Sequence, residues 1–240
     1  MRAALALCFP RVCALCERPL AERDREALCS LCLTRLAILG APRCDRCGHP
    51  GVAASCHWCH VLDERVRVAR SLCWMTGGTG AEVVHALKYT GWRVLARPMA
   101  QRIARLDGLL IGSERTALVP VPLARTRERE RGYNQSDLLA REIGRCWSIP
   151  VWSSALERTR QTPTQTALTP QQRLANVAGA FSVMGAYRAR VRGAQLILVD
   201  DVITTGATMN ACAAAMFAAG VRSVAYVTFG RARAPGDAAP

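Results

Sequence analysis

Four Cys-x-x-Cys pairs, Cys13/Cys16, Cys29/Cys32, Cys44/Cys47 and Cys56/Cys59, fall within 47 residues of this 240-residue chain. A turn of that spacing points two thiolates at one tetrahedral cation, and two such turns complete a four-thiolate shell. Four pairs therefore predict two structural Zn2+ sites. A disulfide framework is the competing assignment, and it requires an oxidising compartment. No sign of one appears, because the apolar stretch ending at Phe9 is too short for a secretory signal and no small-x-small cleavage site follows. We expect a cytoplasmic protein with reduced thiols.

The loops between turns, 12 residues from Cys16 to Cys29 and 8 from Cys47 to Cys56, suit two successive zinc ribbons. Interleaved pairing, with Cys13/Cys16 joined to Cys44/Cys47, is the alternative, and it closes longer loops at higher entropic cost. His49, His57 and His60 lie beside the knuckles and are expected as solvent-facing loop residues. Cys73, Cys146 and Cys212 are expected as small core residues.

Half the residues are hydrophobic and 21% are charged, which supplies a folded core and excludes a disordered chain. No apolar run reaches the length of a membrane span. The formal net charge is +14, which favours polyanionic partners. Lys88 is the one lysine and the other 31 basic residues are arginine, a bias that coding composition also produces.

After the charged connection from Asp63 to Arg70 the pattern changes to alternating strands and helices. Strands are expected at 70–75, 117–121, 151–156, 196–199 and 223–229. Helices are expected over 83–103, broken near Tyr89-Thr90-Gly91, and over 137–146 and 208–219. Leu196 to Val199 is apolar on both faces, as in a buried parallel sheet. This predicts an α/β fold, an open parallel sheet with helices on both sides. The expected domains are a double zinc ribbon at 1–62, an α/β domain at 63–230 and a disordered tail at 231–240.

The run from Leu196 to Thr208 carries the most chemistry. Asp200 and Asp201 end a buried strand, where two acids are costly unless they serve a site. Thr204, Thr205, Gly206, Ala207 and Thr208 then lead into a helix, offering hydroxyls, free backbone N–H groups and the positive end of the helix dipole. Acids for sugar hydroxyls followed by an anion cradle describe a ribose 5-phosphate pocket at the carboxyl end of a sheet.

This run resembles the 5-phosphoribosyl-1-pyrophosphate (PRPP) motif of type I phosphoribosyltransferases. Leu87-Lys88-Tyr89-Thr90-Gly91, Val119-Pro120-Val121-Pro122-Leu123, Arg131-Gly132-Tyr133-Asn134-Gln135-Ser136, Arg158 to Gln165 and Arg173-Leu174-Ala175-Asn176-Val177 narrow the resemblance to the ComF/GntX competence protein family. The resemblance implies a double zinc ribbon before a phosphoribosyltransferase domain. It also implies that Asp200 and Asp201 hold the ribose hydroxyls and act as the catalytic acids, while the 204–208 loop wraps the 5′-phosphate. Val121, Pro122 and Leu123 match the pyrophosphate loop, with Arg125 and Arg131 near the diphosphate. Arg158, Gln165, Arg173 and Asn176 match a loop that closes over PRPP. Mg2+ would arrive with PRPP, held through substrate oxygens rather than by a protein cage.

In reactions of that type a nitrogen nucleophile displaces pyrophosphate from C1 of PRPP, and the acceptor is set by residues 70–106, which carry no recognisable base-reading pattern. Three functions stay open: pentosyl transfer to an unspecified acceptor, non-catalytic handling of single-stranded DNA alongside competence-machinery proteins, and PRPP sensing. Arg125, Arg127, Arg129 and Arg131, at alternate positions, read equally as a phosphate-gripping patch or as a solvated face.

Overall fold

Four apolar strands set the frame of the computed structural model, which describes residues 11–21, 26–51, 56–109, 115–160, 177–233 and 237. These strands are β1 (Val66–Trp74), β2 (Thr116–Pro120), β5 (Gln195–Ile203) and β6 (Ser223–Arg231), all parallel in the order β1-β6-β5-β2. A separate antiparallel pair joins β3 (Leu156–Arg158) to β4 (Phe181–Val183).

Alternation along β5 divides the core. Leu196 and Leu198 pack with Met209, Cys212 and Met216 of α7 (Ala207–Ala218). Ile197 and Val199 pack on the other side with α2 (Gly78–Tyr89), α3 (Ala96–Ile103) and α5 (Gln135–Trp147). The parallel sheet therefore has helices on both faces, as its two-sided apolar strands require. Three further α-helices among the described residues are short: α1 (Ser30–Thr34), α4 (Arg125–Arg131) and α6 (Arg188–Val191).

The first ribbon joins the α2–α3–α5 side of the core through Cys13, Leu28, Cys32 and Leu36. The second joins the α7 side through Cys47, Trp58 and Leu62. The four thiols of each sequential set, Cys13/Cys16/Cys29/Cys32 and Cys44/Cys47/Cys56/Cys59, lie within 4.8 Å of one another. Within the sets, neighbouring sulfur pairs are 3.4–3.8 Å apart. Tetrahedral zinc with bonds of about 2.3 Å has edges of about 3.8 Å, so both sets fit the ion. Sequential pairing is the arrangement adopted.

Several expectations need correction. The second half of the charged connection, from Val66, is already β1, and Arg70 is buried there with its guanidinium donating to the carbonyls of Ala69, Asp45 and Asp107. The strand expected at 151–156 splits, because Val151 bridges to Leu118 and the chain turns before β3 begins. Cys146 is exposed in the last turn of α5 rather than in the core. His49 is packed, not solvent-facing: it stacks on Trp58 with 5.6 Å between centroids, and its Nε2 lies 2.8 Å from the Asp237 carboxylate. Asp237 thereby holds part of the expected tail against the second ribbon. Among the described residues no helix is long and apolar enough to cross a membrane. Gln165, Arg173 and Asn176 lie outside the described residues.

Candidate functional site

The carboxyl ends of β2 and β5 open into a cavity of about 450 Å³. Its walls include Asp200, Asp201, Thr204, Gly206, Ala207 and Thr208 from the end of β5 and the start of α7, and Val121, Pro122 and Leu123 after β2. Two segments 77 or more residues apart in sequence thus meet at one site. Thr205 is half-buried beside the lining.

Gly206 makes the cradle. It caps α7 in the left-handed region at φ 73°, and a Cβ there would sit a tight 3.2 Å from the Val61 carbonyl, so a side chain is disfavoured twice. Behind it, Asn210 donates to Val61 O at 2.7 Å, while its Oδ1 accepts from the Asp63 N–H at 3.1 Å and from the Tyr226 hydroxyl at 3.0 Å. The end of the second ribbon therefore braces the first turn of α7.

Asp201 is buried and ion-paired with Lys88, whose Nζ lies 2.5 Å from Oδ2. Burial disfavours the Lys88 ammonium, but the charge of Asp201 and its hydrogen bond outweigh this and hold the group above its ordinary pKa. Asp200 Oδ1 accepts from the Ser136 hydroxyl at 2.7 Å and from the Asp201 N–H at 2.9 Å. Burial pushes the Asp200 carboxyl up to about 7, and the adjacent Asp201 charge adds to the shift. Among the described lining residues these two are the only acids, whereas Lys88, Arg127 and Arg158 are cationic. A cavity so lined suits a polyhydroxylated anion: carboxylates accept from hydroxyls while the cations and the helix N-terminus face phosphate.

The family resemblance implies Arg125 and Arg131 near the diphosphate, and of the arginines in α4 it is Arg127 that stands in the cavity lining. The reason is α4: at 100° per residue, alternate arginines fall on opposite helix faces and form no single stripe. Arg125 is exposed, and Arg131 bonds the Gln135 side chain and lies 5.3 Å over the Tyr89 ring. Lys88, Ser136 and Gln135 stand inside the sequence motifs, which attach no individual role to them. Their signal was available in the chain's one lysine and in a serine directly behind a helix cap.

Comparison with known proteins agrees with this organisation. The family model of the double zinc ribbon domain matches residues 4–63. The DNA utilization protein YhgH of Escherichia coli K12 is 30% identical over 233 residues, covering 91% of this chain and 96% of the relative. Competence protein F of Haemophilus influenzae is 40% identical over 94 residues, 39% of this chain and 41% of the relative. Competence protein ComFC of Bacillus subtilis is 24% identical over 216 residues, 83% and 85% of the two chains. With a double zinc ribbon ahead of a parallel α/β domain and a relative of that identity along nearly its whole length, the chain belongs to the ComF family.

Proposed function

We propose that this protein binds PRPP with Mg2+ at the 200–208 site and works in DNA uptake or use, as a cytoplasmic partner of competence-machinery proteins. One observation carries the PRPP reading: the acid pair, the Gly206 cradle and the Val121–Leu123 loop share one cavity at the carboxyl end of a parallel sheet. In that pocket Asp200 and Asp201 accept from the ribose hydroxyls. The 204–208 loop donates backbone N–H groups and hydroxyls to the 5′-phosphate, and Arg127 and Arg158 face the diphosphate. Two lining acids, one already paired, make no metal cage, so Mg2+ would be held through the ligand's phosphates. Mg2+ bound with the ligand would supply charge neutralisation for the diphosphate, and the chain's part in pentosyl transfer is to fix C1 and exclude water.

Calorimetry with Mg·PRPP tests this. Asp200→Asn plus Asp201→Asn should cost a few kcal/mol of affinity, since bonds to charged groups are worth about 1.5–3 kcal/mol each. Unchanged affinity in the folded double variant refutes the site. Pyrophosphate release with purines, pyrimidines and oligonucleotides distinguishes a transferase from a sensor.

A second activity, contact with single-stranded DNA, is favoured by the names of the relatives and by one surface. Tyr89 and Trp92 are 61% and 37% exposed beside Arg93 and Arg131, offering rings for bases and guanidinium groups for phosphates. Log affinity should fall linearly with log salt, and Arg93→Ala plus Arg131→Ala should flatten that slope by about one unit per lost phosphate contact. Binding that ignores ionic strength would remove DNA contact from the function.

A further inference from the structure

We propose that the Lys88 ammonium is the resident cation of the acid pair. It holds the place that a divalent ion would otherwise take, so the empty pocket admits a pentose phosphate but no free metal ion. This rests on the pentose-phosphate reading for the identity of the ligand, though not for the exclusion of metal.

The geometry points to it in three ways. Lys88 Nζ lies 2.5 Å from Asp201 Oδ2, and the paired side chains are only 22% and 5% exposed. A divalent ion on that oxygen needs a bond of about 2.0–2.1 Å for magnesium, and it would sit against the ammonium in a site where water screens little. The two cations are mutually exclusive.

Lys88 is also held in place. The Tyr133 hydroxyl donates to the carbonyl of Leu87, and the Thr90 hydroxyl donates to that of Ala86 at 2.9 Å, so the last turn of α2 is fastened on either side of it. Its ammonium is a compact point charge, whereas a planar guanidinium would project further across the pair.

Finally, the acid pair keeps acceptors for a sugar without any metal. Asp200 Oδ1 is engaged by Ser136 and the Asp201 N–H, and Asp201 Oδ2 by Lys88. Among the described residues, Asp200 Oδ2 and Asp201 Oδ1 are left to accept from two neighbouring hydroxyls. Lys88 is then a positioning residue: it orients Asp201 and sets the order of binding, with the metal entering on the ligand's phosphates.

The test is Mn2+ titration of the full-length, zinc-loaded protein at pH 8, read by electron paramagnetic resonance. Wild type should take up no Mn2+ at the pair without ligand. Lys88→Met should gain one site, binding roughly tenfold or more tighter than wild type, and Lys88→Met combined with Asp201→Asn should lose it. Lys88→Gln replaces Lys88→Met if zinc content or circular dichroism shows that variant misfolded. Equal Mn2+ binding by wild type and by the folded Lys88 variants overturns the assignment. Addition of PRPP to wild type should then bring Mn2+ in. If PRPP does not bind, the pocket reading fails, while the ligand-free Mn2+ contrast still decides the role of Lys88.

Discussion

The two zinc ribbons have the same four-thiolate chemistry and opposite relations to the domain. The first is seated by apolar contacts on the α2–α3–α5 side, with one ion pair, Arg102 to Glu26 at 2.9 Å, tying it to α3. The second is sewn in by guanidinium groups. Arg46 donates to the carbonyls of Val66, Cys59 and Asp63 at 2.8–3.3 Å, and Arg70 donates to the carbonyl of Asp45. Buried Arg231, at the end of the last strand, donates to Cys47 O and stacks 5.5 Å over Trp58. From the same ribbon, Val61 and Asp63 reach Asn210 beneath the cradle. Sequence repetition thus gives two similar metal sites, and the arginines around them decide which one the functional pocket depends on.

The largest expected difference is in what each site's loss destroys. Cys13 and Cys47 are both fully buried ligands, one per site. Removing either forfeits one zinc, whose binding is worth about 10–16 kcal/mol in isolated fingers. Cys13→Ser should unfold its own ribbon and leave the parallel sheet standing with one zinc per chain. Cys47→Ser should unfold the whole chain in one transition, since Arg46, Arg70 and Arg231 tie its ribbon to the sheet and Asn210 ties it to α7. Zinc analysis with thermal melts of both variants checks this, and matching melts would erase the distinction.

A smaller effect isolates the guanidinium groups. Arg231→Met leaves Cys47 O and the second thiolate cluster without their buried partner and should cost about 3 kcal/mol. Arg102→Met breaks a half-buried surface pair and should cost about 1 kcal/mol or less. Denaturant midpoints at equal m-value report both. Comparable losses would mean that the second ribbon is held by packing, as the first is.

Much of this was legible in the sequence and some could not be. The strand from Leu196 to Val199 declared the buried sheet, and its two acids pointed to the candidate site, because adjacent carboxylates at the end of an apolar run are costly to bury. The Cys-x-x-Cys spacing declared the metal sites. Arg70, at the join of the charged connection and the expected strand, gave no sign of its burial, since no local pattern distinguishes a solvated arginine from one buried against carbonyls brought from elsewhere in the chain. Arg125 to Arg131 alternate in sequence and lie on different faces of the helix they form, so their spacing alone does not say which of them meets the cavity. The pairing of Lys88 with Asp201 spans 113 residues and is a property of topology alone.

Asn210 sharpens the link between the second ribbon and the pocket. Asn210→Ala leaves the Val61 carbonyl, the Asp63 N–H and the Tyr226 hydroxyl without their partner, a loss of about 2 kcal/mol. Because Gly206 and Asn210 share the first turn of α7, phosphate affinity should fall together with stability. Ribose 5-phosphate calorimetry at a temperature where the variant is folded measures the first effect. An unchanged affinity would uncouple ribbon and cradle.

The smallest effect separates the site's own cost from anything the ribbons contribute. Asp200 has its carboxyl pushed up to about 7 in the folded chain, mainly by burial and then by Asp201, against 3.8 for the ordinary group. The folded state therefore holds a proton that the unfolded chain has released, and stability falls as pH rises through the window from about 4 to about 7. Above that window the full cost is present, and below it the cost is absent. Asn cannot ionise, and its side-chain oxygen still accepts from Ser136. Asp200→Asn should thus stabilise the protein by about 1–2 kcal/mol at pH 8 and by progressively less toward pH 5.5. Zinc-ligand protonation is common to both proteins and cancels in their difference. Thermal melts of the pair across pH 5.5–8.5 measure it. A difference that stays constant with pH would show that burial exacts no charge penalty at Asp200.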